Sequence, residues 1–236
     1  MQNETPFFSS RFRLVLSAFA ALFLVLLAAL WFAAGWYGEQ ILNAGHTTST
    51  DPVTVTIGND RLQLAKNTIR VPAQRQDGES DRVDLYLTWP ELGGYGEANR
   101  KVFDNPNSTA DLIFIQISRS TMSEDMSGRF LPIYARLAEG EPLPLRYGLM
   151  LHRLKADSGY GKEVILTGKR DGETDFVVRC LLPQKPEEST GNDCQRDIRA
   201  GQDLTIFYRF SARLLPQWQK LDQALKTYVE ARLNKG

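Results

Sequence analysis

The sequence predicts an N-terminal transmembrane helix joined to a β-rich (α+β) extracytoplasmic domain, an antiparallel sheet or sandwich with a C-terminal amphipathic helix. Three observations carry that expectation. An uncharged apolar run extends from Leu14 to Gly38, short alternating segments separated by turn residues follow it, and an apolar repeat at helical spacing runs from Trp218 to Leu233.

At ~1.5 Å per residue, Leu14–Tyr37 reaches roughly 36 Å, more than the ~30 Å hydrocarbon core of a bilayer, so it spans with a modest tilt. Trp31, Trp36 and Tyr37 crowd its far end and Phe7, Phe8 and Phe12 precede it, the places where amphipathic rings prefer a membrane interface. Arg11 and Arg13 come before the run, and no basic residue follows it until Arg61. That asymmetry predicts a cytoplasmic N-terminus over 1–13, a transmembrane helix over 14–37 and an outward-facing remainder. The alternative is a cleaved signal peptide, whose apolar core is usually ~7–15 residues and ends at small residues. Ala33-Ala34-Gly35 and Asn43-Ala44-Gly45 imitate such sites, but the longer core and the bulky Trp31, Trp36 and Tyr37 fit an uncleaved anchor better. Residues 38–52, rich in Gly, Thr, Ser and Asn, read as a flexible tether spanning about 20 Å.

The 28 Lys plus Arg balance 28 Asp plus Glu, which leaves no electrostatic footprint for nucleic acid. With 42% hydrophobic residues, 53–236 is long enough to bury one core. Cys180 and Cys194 are the only cysteines, and the expected topology puts both in a thiol-oxidising space. Pro183, Pro186, Gly191, Asn192 and Asp193 lie between them as a surface loop, so a structural disulfide is expected, with two separate buried thiols as the alternative.

Val53, Val55 and Ile57 alternate with Thr54, Thr56 and Gly58, and a turn at Asn59 and Asp60 leads to Leu62 and Leu64, an opening hairpin. Val83, Leu85, Leu87 and Trp89 mark a half-buried strand that Pro90 stops. Leu112–Ile117 reads as a central strand, and Leu145–Leu154, Glu163–Thr167, Thr174–Leu182 and Asp203–Phe210 as further strands, with a hairpin turn at Arg170–Glu173. The long helical crossovers that parallel pairing needs are missing, so antiparallel pairing is expected. Thr121 and Glu124 fit a capping box for a short helix limited by Gly128 and Pro132. A helix over about 215–234 places Trp218, Leu221, Leu225, Tyr228, Val229 and Leu233 on one face, to pack on the sheet or, alternatively, to bind a partner.

No catalytic constellation emerges. Cys194-Gln195-Arg196 has a faint likeness to the Cys-x-Arg of L,D-transpeptidases, but Gly191, Asn192 and Asp193 stand where Ser-His-Gly normally precedes the nucleophile. No G-x-S-x-G elbow is present, and the only histidines are His46, in the expected tether, and His152. Ser158 and Lys162 sit in a Gly-rich turn, and Glu124-Asp125 and Glu187-Glu188 are adjacent pairs that read as a cap and a solvated loop. A glycosidase with acids from distant positions has no sequence support of its own. Neither a zinc spacing nor a phosphate-binding glycine pattern occurs, and Met122, Met126, Met150 and His152 are more simply core residues than a copper site. No metal or cofactor is expected. Trp89 and Tyr95 bracket Pro90, Gly93 and Gly94, which makes them the candidate recognition loop, although turn glycines have the same form without any ligand.

The stretches Arg82–Pro90, Asp125–Tyr134 and Leu204–Phe210 followed by Leu214–Trp218 resemble a group of uncharacterised single-span inner-membrane proteins of alphaproteobacteria, of rhizobial type. The likeness covers most of the chain. It implies a bacterial inner-membrane protein with a periplasmic domain and supplies no catalytic residue. The expected role is a non-enzymatic binding or scaffolding protein of the cell envelope, anchored in the lipid bilayer, with an envelope protein as partner. A cell-wall-modifying enzyme and a lipid- or small-ligand-binding β domain are the alternatives.

Overall fold

A computed structural model describes the protein over residues 10–42, 45–172 and 174–234, with only the backbone course for 10, 13, 35–42 and 106–108. The chain forms two compact units, Met1–Gly45 and His46–Gly236. In the first, α1 (Ser10–Leu42) is one continuous helix whose apolar stretch Leu14–Ala34 has a mean hydropathy of 2.7. Its backbone bonds are closed within the helix, the form a lipid environment demands.

The stretch expected as a tether, 38–52, overlaps described elements. The helix continues to Leu42, and the second unit begins at His46. The polar residues read as flexible coil make local bonds, Ser49 N–H to Thr47 Oγ1 (3.2 Å) and Asp51 N–H to Ser49 Oγ (3.2 Å). Their carbonyls then dock on the domain, Ser49 O accepting from Asn67 N–H (2.8 Å) and Asp51 O from Lys66 N–H (3.0 Å).

The second unit is α+β. β1 (Pro52–Ile57) and β2 (Asp60–Ala65) form the expected hairpin, turned by Gly58 at φ 59°. Val53, Val55, Ile57, Leu62 and Leu64 point inward and are all at most 3% exposed. Asp60 belongs to β2 rather than to the turn. It is buried, and its carboxylate accepts the N–H groups of Gln202 and Asp203. β3 (Gly78–Glu79) completes a three-stranded sheet through a short parallel pairing with β1, the one departure from antiparallel pairing among the described strands.

The main sheet has eight strands. β4 (Arg82–Thr88), the short helix α2 (Arg100–Asp104), β5 (Leu112–Arg119), the single turn α3 (Ala135–Leu137), β6 (Ala138–Pro144), β7 (Leu149–Leu154), β8 (Val164–Gly168), β9 (Phe176–Cys180), β10 (Cys194–Ala200), β11 (Leu204–Phe210) and α4 (Trp218–Glu230) follow in chain order. The spatial order is β4-β5-β11-β10-β9-β8-β7-β6. One face packs on the small sheet and on α4. Leu85, Ile115, Ile206 and Tyr208 from the strands meet Val55 and Leu62 from the hairpin and Leu221, Leu225 and Val229 from the helix. Each such buried side chain contributes roughly 1.5–3 kcal/mol. A smaller cluster on the other face gathers Met126, Tyr134, Leu154, Ile165 and Val177.

The capped helix expected from Thr121 does not form. Residues 122–124 are a bend, the Asp125 carboxylate accepts from Gly128 N–H (3.1 Å), and helical turns start only at Phe130. Asp125 is the better cap because the chain must first reach over the sheet to bury Met126.

β9 and β10 are paired only at Cys180↔Cys194 and Arg179↔Gln195 and then diverge. The disulfide between Cys180 and Cys194, with Cα atoms 4.1 Å apart, staples the closed end of that split. Arg196 fills it. The guanidinium is 2% exposed, donates to Val177 O (2.7 Å) and Ser127 Oγ (3.0 Å), and pairs with Asp222 of α4 (2.8 Å). Asp222 also accepts from Tyr208 Oη and from Arg170 Nη2 (2.5 Å).

Candidate functional site

The structure corrects the expected recognition loop. Tyr95 is 1% exposed, and its ring stacks on His46 with centroids 4.6 Å apart. Phe103 meets Tyr95 edge-on at 5.5 Å and Tyr86 at 4.8 Å, closing an internal aromatic box. The close backbone approach that Gly94 permits is to the chain itself. A Cβ there would lie 2.6 Å from Asn67 O, and Tyr95 N–H donates to that same oxygen at 2.9 Å. Trp89 packs against the main core with Lys220 Nζ 5.8 Å from its ring centroid. Tyr95 therefore holds the loop down, and Trp89 beside it is half-buried.

His46 is likewise part of the domain. Its Nδ1 lies 2.9 Å from Tyr86 Oη and its Nε2 3.7 Å from Asp104. Burial lowers its pKa more than Asp104 raises it, so the ring is neutral at neutral pH. The same burial pushes the Tyr86 hydroxyl up to about 12. His152 makes a 3.0 Å contact with Thr167 Oγ1 and meets the Phe130 ring edge-on. Of the expected membrane-interface residues, Arg11 and Trp31 are exposed on α1, whereas the side chains of Arg13, Trp36 and Tyr37 lie outside the described residues.

The Arg196–Asp222–Tyr208 group is sealed in the core and turned on itself. Arg129 and Asp197 form a further ion pair beside it, where burial raises the Asp197 carboxyl despite the facing guanidinium. These charges hold strands and helix together; Arg196, Asp222 and Tyr208 are closed to solvent, whereas the Arg129 and Asp197 side chains are 14% and 12% exposed.

What the surface offers instead is an apolar cleft of ≈540 Å³. Three segments distant in sequence build it. The turn before β7 supplies Leu145 and Tyr147, the disulfide-closed loop supplies Leu182 and Pro186, and the turn entering α4 supplies Leu215 and Pro216. Tyr147 is 53% exposed and sits at φ 66°, ψ 25°, the left-handed region that costs a non-glycine residue roughly 1–2 kcal/mol. It is held there by its carbonyl, which accepts from Trp218 Nε1 (3.1 Å), and by Gly148, also at positive φ. On the floor, Ser189 Oγ contacts Ser211 Oγ and Asp193 Oδ2, both at 2.5 Å, and Asp193 also accepts from Ala212 N–H (3.0 Å). Sequence reasoning missed this cleft, because only the apolar and proline content of the separate turns was legible.

The fold resembles that of an immunity protein. That protein belongs to the Stenotrophomonas maltophilia type IV secretion system and shares 14% identity, with a TM-score of 0.53 over 81% of this chain and 96% of its own. The iron-regulated outer membrane lipoprotein FrpD of Neisseria meningitidis aligns with a TM-score of 0.44 and 14% identity over 79% of this chain and 94% of its own. No protein-family model matches the chain, and no curated protein matches it in sequence. At this identity the first likeness establishes the α+β architecture and nothing about chemistry.

The disulfide loop forms one wall of the cleft, which makes the bond testable. Replacing Cys180 and Cys194 together by serine is expected to cost about 3 kcal/mol, the chain-entropy contribution of a ~15-residue loop. Urea unfolding of the full chain checks it, and a midpoint unaffected by the double substitution or by reductant overturns it.

Proposed function

We propose that this chain is a single-pass protein of the bacterial inner membrane whose periplasmic domain binds a protein partner without catalysing a reaction on it. The observation that carries the reading is the apolar cleft with Tyr147 exposed in a strained backbone. Exposed apolar surface of this kind marks interaction sites, tyrosine is enriched among the residues that dominate binding, and strain concentrates where function needs it. The membrane placement rests on α1, on Arg11 and Arg13 before its apolar stretch, and on a disulfide that belongs in an oxidising space. The protein is assigned to the alphaproteobacterial single-span group on the three sequence stretches that resemble it. The architectural likeness to an immunity protein supports a binding role in the envelope, where the partner would be a protein delivered to or resident in the same compartment.

A photo-crosslinking residue at Tyr147 of the full-length protein in living cells is expected to give a discrete protein adduct that the same residue at exposed Arg61 does not give. No adduct, or the same adduct from both positions, overturns the reading. Tyr147→Gly is expected to abolish binding while leaving stability within about 1 kcal/mol, since the relieved strain roughly offsets the added backbone entropy. Thermal melting of the variant checks the second half, and a large loss of stability makes Tyr147 structural.

A further inference from the structure

We infer that the cleft receives an acidic segment of its partner, one that carries a leucine or an aromatic side chain beside a carboxylate. The inference rests on the protein-binding reading above and adds the chemistry of what is bound. Its walls are apolar, and the charged residues lining it are Arg146 and Arg213, with no acidic residue among them. Both arginines are exposed, and neither guanidinium makes a hydrogen bond or ion pair with the described residues. Some arginines elsewhere in the domain pair with carboxylates, as Arg129 does with Asp197, Arg179 with Glu163 and Arg199 with Asp203, and others, such as exposed Arg136 and Arg153, do not; Arg146 and Arg213 are set apart by lining an apolar cleft. Unmatched guanidiniums beside apolar surface call for a carboxylate from outside, which they bind through two parallel N–H donors.

Asp193, whose carboxylate accepts from Ser189, Thr190 and the Ala212 N–H, forms no ion pair with either arginine and is not among the lining residues. Glu187 and Glu188, on the same loop, are not among the lining residues. The walls are also set before binding. Pro183, Pro186 and Pro216 fix the backbone, and the disulfide closes the loop that carries two of them, so little order is lost when a segment docks. Proline and aromatic surface suits an extended backbone laid across it, and ≈540 Å³ leaves room for an anchoring side chain within the roughly 300–1,000 Å³ range of ligand sites.

The test presents the full-length protein in phospholipid nanodiscs to a random peptide library, with empty nanodiscs as the control. Enriched peptides are expected to place Asp or Glu next to Leu, Phe or Trp. A synthetic peptide from that set is expected to bind the Arg146→Glu/Arg213→Glu variant about tenfold or more weakly and to weaken with added salt. Thermal melting confirms that the variant is folded. Enrichment without acidic residues, no enrichment over empty nanodiscs, or a peptide indifferent to charge reversal overturns the inference. A phospholipid or fatty acid that native mass spectrometry finds bound, and that Leu215→Asp but not the peptide removes, overturns it in favour of a lipid. A Tyr147 crosslink that survives charge reversal leaves the binding role standing and removes only the acidic segment.

Discussion

Asp222→Ala is expected to lower the unfolding free energy by about 3–5 kcal/mol, a large part of the 5–15 kcal/mol that stabilises most domains. Asp222 is 4% exposed and is the shared acceptor for Arg196, Arg170 and Tyr208. Removing it leaves the Arg196 guanidinium buried beside a hydroxyl that has lost its acceptor, and both desolvation penalties remain. The effect should be non-additive. A triple variant, Arg196→Met, Tyr208→Phe and Asp222→Leu, is expected to recover more than half of the loss, because the buried guanidinium and the Tyr208 hydroxyl are removed together with their acceptor. Arg170, 16% exposed, still reaches water. Urea unfolding of the full chain measures each variant. Effects that simply add, within about 0.5 kcal/mol, would show that these residues do not act as a unit.

The same carboxylate sets an acid limit. Burial alone raises the Asp222 carboxyl, but the Arg196 ion pair and the bonds from Arg196 and Tyr208 outweigh it and hold its pKa below the ordinary value. A group depressed in the folded state contributes stability above its unfolded pKa, near 4, and loses it as pH falls through the folded pKa. Asp197, raised by burial, works with the opposite sign in the same range. The contribution of Asp222 is therefore read as a difference. Between pH 5 and roughly pH 2 the wild type should lose more stability than Asp222→Asn, and parallel curves would sink the assignment.

The elements legible in the sequence are those whose inward residues are mostly apolar. β1, β2, β4, β5, β11 and α4 bury Val, Ile, Leu or aromatic side chains at period 2 or 3.6, and the pattern survives the single buried carboxylates of Asp60 in β2, Asp84 in β4 and Asp222 in α4. β10 escaped because Arg196 takes one of its inward positions between Cys194 and Ile198, and the Asp222 that neutralises it lies on a helix far along the chain. β6 escaped for a different reason. Ala138–Pro144 carries Gly140, Pro142 and Pro144 and two glutamates, residues that suit only an outer strand with a bulged register, where the prolines lack N–H donors and the charges discourage further pairing. The cleft was hidden because none of its three walls is distinctive alone. A left-handed tyrosine at position 147 is set by its neighbours in space, not by its neighbours in sequence.

Tyr95→Ala is expected to cost about 3–5 kcal/mol, the range for truncating a buried aromatic residue. The ring is 1% exposed, stacks on His46 and meets Phe103 edge-on, so truncation leaves a cavity that three rings must collapse to fill. It also loosens the start of the domain. Tyr95 N–H binds Asn67 O, and Asn67 N–H binds Ser49 O, so the loop, the turn after β2 and the segment leaving His46 share one set of bonds. Amide exchange at Tyr95 and Asn67 should speed up together in the variant, while exchange at the distant β7–β8 pair changes only as far as global stability falls. Tyr95→Phe, which keeps the ring, should stay within about 1 kcal/mol of wild type. A Tyr95→Ala protein that melts normally would return the loop to candidacy as a binding surface. If it melts early, a lost interaction in that variant reports instability, and Tyr147→Gly becomes the substitution that separates recognition from folding.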